Sequence, residues 1–211
     1  MDKPHVGKRE HNKATMKLQI METFIKAMES QPLDALRVED LCKDIGISKV
    51  TFFNYFASKE QIIEYFIAKW QYNICYVLSK GELQGIDGMK HIYHSVADHK
   101  AGPNIMITLM QYYLSHSNSE SMEVTPYEYY LFNPDAYTAG VEYMSLPEIM
   151  AKLLSDFPIP KDNVMPTVLN LISGFYGVAF VIHIAGQYSV KDKERADLKK
   201  AYDRFVDAML S

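Results

Sequence analysis

Residues 38–70 read VEDLCKDIGISKVTFFNYFASKEQIIEYFIAKW. Val38, Leu41, Cys42 and Ile45 recur at helical spacing and give a short first helix one apolar face. Gly46 stands where that helix must end, in a left-handed conformation that a side chain disfavours. Ile47 can plug the angle between this helix and the next. Ser48 is placed as an N-cap, its hydroxyl able to accept from the N–H of Val50 or Thr51. Phe52 and Phe56, four apart, face inward, which leaves Lys49, Thr51, Phe53, Asn54 and Tyr55 outside. Ser58 and Gln61 supply the S-x-x-Q capping box that opens a third helix. Two short helices joined by such a turn form the unit that lays its second helix in a DNA major groove.

The string GISKVTFFNYFASKEQI resembles the signature of tetracycline-repressor-type (TetR family) regulators, whose usual form is close to G-V-S-x-x-T-L-Y-x-H-F-x-x-K-E-x-L. Thr15 to Val38 resembles that family's first helix and its entry to the motif. The remaining two-thirds of the chain resembles the family in length and helical character alone. The resemblance implies an all-α fold, with a three-helix DNA-binding domain over residues 1–57 and a helical ligand-binding and dimerisation domain over 58–211. It also implies a homodimeric transcription regulator, a repressor released from a palindromic double-stranded operator by a small hydrophobic or aromatic inducer. Lys49, Val50 and Asn54 would then face bases, and Ser48, Thr51, Tyr55 and Lys59 phosphates. Two positions depart from the pattern. Phe53 replaces a tyrosine whose hydroxyl tends to reach a phosphate, and Arg37 replaces a Ser or Thr cap and is free to approach the DNA backbone instead. Tyr55, where histidine is frequent, still offers an O–H.

Composition sets outer limits. With 211 residues, 48% hydrophobic and 23% charged, the chain can bury a proper core. The two cysteines, Cys42 and Cys75, have no metal-type spacing and fall on apolar helix faces, as buried reduced thiols suited to a cytoplasmic setting. The N-terminal residues lack the apolar run of a secretory signal. Residues 1–60 hold ten Lys/Arg against nine Asp/Glu, whereas residues 61–211 hold twelve against seventeen, so the whole chain is no general nucleic-acid glue. Basic residues do gather at Lys3, Lys8, Arg9, Lys13 and Lys17. They form either an arm that adds phosphate or minor-groove contacts or a solvated tail.

Downstream, helical spacing predicts a fourth helix from Ser58 to about Lys80, a glycine-broken turn, and a fifth helix marked by Met89, Ile92, Tyr93, Val96 and Ala97. A sixth opens at Pro103 and is apolar nearly all round, so it should be central. Leu146 to Phe157 is another helix, with Pro158 beyond it. Ser119 to Met144 is tyrosine-rich and aperiodic, and reads as a wall over a ligand cavity or as a plain packed connection. Trp70, Asn73, Tyr76, Met106, Met110, Tyr113, Tyr130 and Phe175 are the candidate ligand-lining residues, though ordinary core packing is open for each.

Asn163 to Val190 carries no charged residue over twenty-eight positions. Its length would span a bilayer. Pro166, Asn170, Ser173, Gly174, Gly177, His183 and Gln187 instead favour a helix buried on nearly every side, one of them against a second subunit. With the last helix, Lys191 to Leu210, it is expected to pair two chains through Leu171, Gly174, Gly177, Val178, Val181, Tyr202, Phe205 and Met209. Dimerisation suits DNA reading, which needs two recognition helices held about 34–36 Å apart.

No nucleotide-binding, zinc-protease or nucleophile-elbow motif appears, so no catalytic residue, cofactor or metal is expected. His91, His94 and Asp98 have a weak metal-type spacing that a solvated face explains better. The rival to a regulator is a helical small-molecule-binding or interaction protein that keeps the fold without operator binding.

Overall fold

The computed structural model describes residues 1–115, 122–188 and 197–210. Among these residues there is no strand; the chain forms eleven α-helices. They are α1 (Lys8–Ala27), α2 (Val38–Ile45), α3 (Lys49–Phe53), α4 (Glu60–Ser79), α5 (Gly85–Ala97), α6 (Gly102–Ser115), α7 (Pro126–Phe132), α8 (Pro134–Thr138), α9 (Leu146–Leu154), α10 (Lys161–Tyr188) and α11 (Leu198–Leu210). The fold is all-α, with a helix-turn-helix head followed by a helical body.

Two apolar cores share the molecule. The first gathers Ile20, Phe24, Leu41, Phe52 and Phe56 of the head, and continues through Ile62 and Tyr65 of α4 to Ile105 and Phe132. The second joins Ile74 of α4, Ile92 and Tyr93 of α5, Ile149 and Met150 of α9, Leu171 and Phe175 of α10, and Tyr202 of α11. Helix α4 therefore runs from one core into the other, and packing is continuous across residue 57.

Of the two readings of the tyrosine-rich stretch, the structure gives the packed connection; its first residues, 119–121, lie outside the described ones. Pro126 starts α7 behind a Thr125/Glu128 capping box, and Asn133 caps α8. Both are brief helices whose periodicity is too short to register in sequence. They pack on α1 and α4, against the head, so this segment is a packed joint between head and body.

Helix α6 is central only over its first half. Ile105, Met106 and Leu109 are buried, but Leu114 near its end is 87% exposed. Helix α10 is also less enclosed than its composition implies. Only 28% of its most apolar stretch is covered within the protomer, and Met165, Leu169, Phe180 and Val181 are bare. Two residues expected at a dimer interface belong to the core instead. Leu171 and Tyr202 are fully buried, and the Tyr202 hydroxyl donates to the Phe175 carbonyl at 2.7 Å. Gly174 serves a close approach inside one chain, since a Cβ there would sit 1.9 Å from the Phe205 ring. The start expected for the last helix, residues 191–196, lies outside the described residues.

His94 and Asp98 are each engaged by a partner on α11 rather than set toward one another as a metal-type pair, although Asp98 stays exposed. His94 Nε2 lies 2.6 Å from Asp203 and Lys199 donates to Asp98 at 2.7 Å; with Lys90–Asp207 these contacts stitch α5 to α11. Among the described residues no group of three or more His, Cys, Asp or Glu is placed to hold a metal.

Candidate nucleic-acid interface and ligand cavity

The turn between α2 and α3 follows from its residues. Gly46 adopts φ 78°, the left-handed region, and the Ile47 N–H reaches back to the Cys42 carbonyl at 2.9 Å. Ser48 Oγ accepts from the Thr51 N–H at 3.0 Å and meets the Thr51 hydroxyl at 2.8 Å. Phe52 is fully buried and stacks on Phe24 at 5.5 Å, while Phe56 meets the edge of Tyr65. That inward anchoring leaves the opposite side of α3 bare. Val50 is 73% exposed, Phe53 is 45% exposed with its ring edge-on to Phe52, and Lys49 and Asn54 are exposed. Thr51 and Tyr55 are half-buried. At the start of α4 the capping box is shifted, because the Gln61 side chain accepts from the Ala57 N–H rather than that of Ser58.

The basic residues divide three ways. Lys8, Arg9 and Lys13 of α1 line an open groove with Asn12, Asn54 and Tyr55, at the C-terminal end of α3. Lys3 turns away, its ammonium lying 5.4 Å over the Tyr130 ring. Lys17 leaves the surface altogether. It is 2.5 Å from Glu128 of α7, both side chains nearly fully buried, and lies 4.4 Å over the Tyr65 ring. The Tyr65 hydroxyl and the Thr125 N–H also donate to Glu128. Burial pushes the Glu128 carboxyl up, but the Lys17 and Thr125 hydrogen bonds outweigh it and hold the group below the usual carboxylate range.

Three of the sequence-derived DNA contacts have partners within the chain. Lys49 pairs with Glu39, whose carboxyl it holds low. Lys59 donates to the Leu33 carbonyl at 2.8 Å and pins the 3-10 turn Leu33–Ala35 to the base of α4, which makes it first a structural tie. Thr51 is engaged by Ser48. Arg37 is exposed ahead of α2 and gives no side-chain cap.

Behind the head, α4, α5, α6, α10 and the start of α9 enclose a cavity of about 270 Å³. Trp70, Met106, Tyr113 and Phe175 line it as expected, joined by Phe66, Ile67, Gln71, Ser95, His99, Ile172 and Tyr176, which sequence reading missed. The other four candidates are spent elsewhere. Asn73 accepts from Asn133, Tyr76 sits under Lys80, Tyr130 stacks on Tyr127, and Met110 is half-buried outside the lining. Trp70 Nε1–H donates to Ser95 Oγ at 2.9 Å, and Ser95 donates in turn to the Ile92 carbonyl. The Gln71 carbonyl oxygen accepts from the Tyr143 hydroxyl.

A short recognition helix clamped by two others, with its outer side chains bare, defines a helix-turn-helix DNA-binding head. Residues 20–66 match the model of the family described as bacterial regulatory proteins, tetR family. The head is thus of the TetR-family type, and it supports a DNA-binding transcriptional regulator. No curated protein matches the chain.

Proposed function

We propose that the protein is a homodimeric repressor whose hold on a palindromic operator is released by a small apolar ligand. One observation carries this reading. Helix α4 gives Tyr65 to the core of the head and, within the next two turns, Phe66, Ile67, Trp70 and Gln71 to the cavity. A ligand that displaces this side of α4 must disturb the seat of the head. By linkage it weakens operator binding by the same factor as the operator weakens ligand binding.

Second copies of α10 and α11 suit the bare face of α10 and the open groove beside it, where Gly177, Val178, Val181, Phe205 and Met209 are lined up. Contiguous exposed apolar surface of this kind marks an interface. Helix α10 is long and apolar enough to cross a membrane by length and composition. Its contacts with α6, α9 and α11 of the same chain, and its Pro, Asn and Gly residues, favour a protein partner over lipid. Free buried Cys42 and Cys75 fit a reducing cytoplasm. Val181→Glu is expected to convert the dimer to a monomer by sedimentation; an unchanged mass would place the interface elsewhere.

The central test is a mobility shift with the DNA upstream of the protein's own gene at low salt. Failure to shift any such fragment, with or without small molecules, would favour the non-operator reading. Within a positive result, roles separate. Asn54→Ala should relax sequence preference, costing about 1–3 kcal/mol on the cognate site, whereas Arg9→Ala should weaken all sequences alike and reduce the salt slope by about 1. The opposite pattern would reverse these assignments.

A further inference from the structure

The cavity's polar groups state what kind of apolar ligand it takes. Among its described lining residues there is no Lys, Arg, Asp or Glu. An ionic ligand would therefore lose its hydration without gaining a counter-charge. Besides Tyr113 and Tyr176, whose hydroxyls can donate or accept, two lining side chains offer N–H donors that no described contact uses. The first is His99. The Ala101 backbone N–H donates to its Nδ1 at 3.2 Å, so Nδ1 is the acceptor and the ring proton sits on Nε2. Burial pushes the imidazole below its ordinary pKa, which favours the uncharged ring that this hydrogen bond needs. The second is Gln71, only 8% exposed, whose oxygen is taken by Tyr143 and whose amide N–H₂ is not used by that bond. By contrast, the Trp70 N–H and the Ser95 hydroxyl satisfy each other and the α5 backbone.

Building on the ligand-cavity reading above, we propose that the cavity selects an uncharged, flat apolar molecule bearing a carbonyl-type acceptor, read by His99 Nε2–H and the Gln71 amide N–H₂. A hydrocarbon of the same shape would leave both donors buried and unpaired, which is the penalty that discriminates. An anion would gain the same two neutral donors but no cation.

Trp70 is the sole tryptophan, so its indole N–H resonance reports occupancy of this wall directly. The probes are 2-acetonaphthone, 2-ethylnaphthalene and 2-naphthoate, each titrated into the full-length protein carrying isotope-labelled tryptophan. The ketone should shift the indole signal with a Kd roughly tenfold below that of the hydrocarbon, and lower still against the carboxylate. His99→Phe and Gln71→Met should each erase much of the ketone's advantage. The hydrocarbon should bind at least as tightly in both variants as in the parent, because the donor that it would strand is gone, and such binding also certifies that the variant cavity is intact. Equal ketone and hydrocarbon affinities, a preference for naphthoate, or an advantage that survives both substitutions would overturn the acceptor reading and leave the ligand cavity standing. If none of the three probes moves the indole resonance, the cavity reading falls and this inference falls with it.

Discussion

Replacing Lys17 by Met should lower the unfolding free energy by about 3–5 kcal/mol, measured by denaturant titration at fixed protein concentration. The reason is what remains behind. Glu128, almost fully buried, would keep the Tyr65 hydroxyl and the Thr125 N–H but lose the one opposite charge beside it. Adding Glu128→Gln to that variant should recover much of the loss. The amide carries no charge to strand: its oxygen can accept from the Thr125 N–H while its N–H₂ donates to the Tyr65 hydroxyl oxygen.

The pH dependence has a definite sign. A carboxyl depressed in the folded state stabilises it above the unfolded pKa, about 4.3 for Glu, and that contribution is lost as pH falls through the folded value. The parent protein should therefore lose the carboxyl's contribution as pH falls into acid, while burial, which lowers the Lys17 ammonium, lets the pair lose its charge earlier in alkali than an ordinary lysine would. Without Lys17, burial raises the Glu128 carboxyl with less opposition, so the folded state binds its proton more tightly than the unfolded chain. The single variant should then sit closest to the parent at low pH and furthest at neutral pH. A loss under about 1 kcal/mol, constant with pH, would show that this pair is not enclosed as described.

Phe52→Ala should cost about 3–5 kcal/mol and abolish operator binding at every salt concentration. Helix α3 has five residues, too few to hold itself together, so its form depends on packing. Phe52 provides that packing from a fully buried position, stacked on Phe24 and close to Phe56. Phe53→Ala is the matched control one residue away. With 45% of its surface exposed, its loss should stay within about 1 kcal/mol of stability. Operator binding by the Phe52 variant at parental affinity would mean that α3 is held by something other than this contact.

Where local signals ruled, sequence and structure agree. Gly46, Ser48, Phe52 and Phe56 each occupy the role their chemistry dictates, because caps and i, i+4 pairs act within a few residues. The Thr125/Glu128 and Ser145/Glu148 capping boxes are local signals of the same kind that the sequence reading passed over, and the helix behind the first is too short for periodicity to reveal. Reading failed where a residue's partner lies far along the chain. Lys17 looks like one more cation of a basic arm until α7 places Glu128 against it. Tyr130 and Asn73 have the right chemistry for a ligand wall, yet Tyr127 and Asn133 claim them. Gln71 and His99 gave no signal as cavity residues, since facing the cavity depends on how α4, α5 and α6 cross.

The sequence alone was sufficient for the helix-turn-helix, its family and the all-α body, because turn geometry, capping and apolar spacing are local properties of consecutive residues. Only the tertiary structure decided which basic residues stay beside the recognition helix, which glycine admits a neighbouring ring, and which side chains surround the cavity. Those outcomes depend on contacts between segments dozens of residues apart, and burial in such contacts turns a charge or a hydroxyl from a surface group into an interior one.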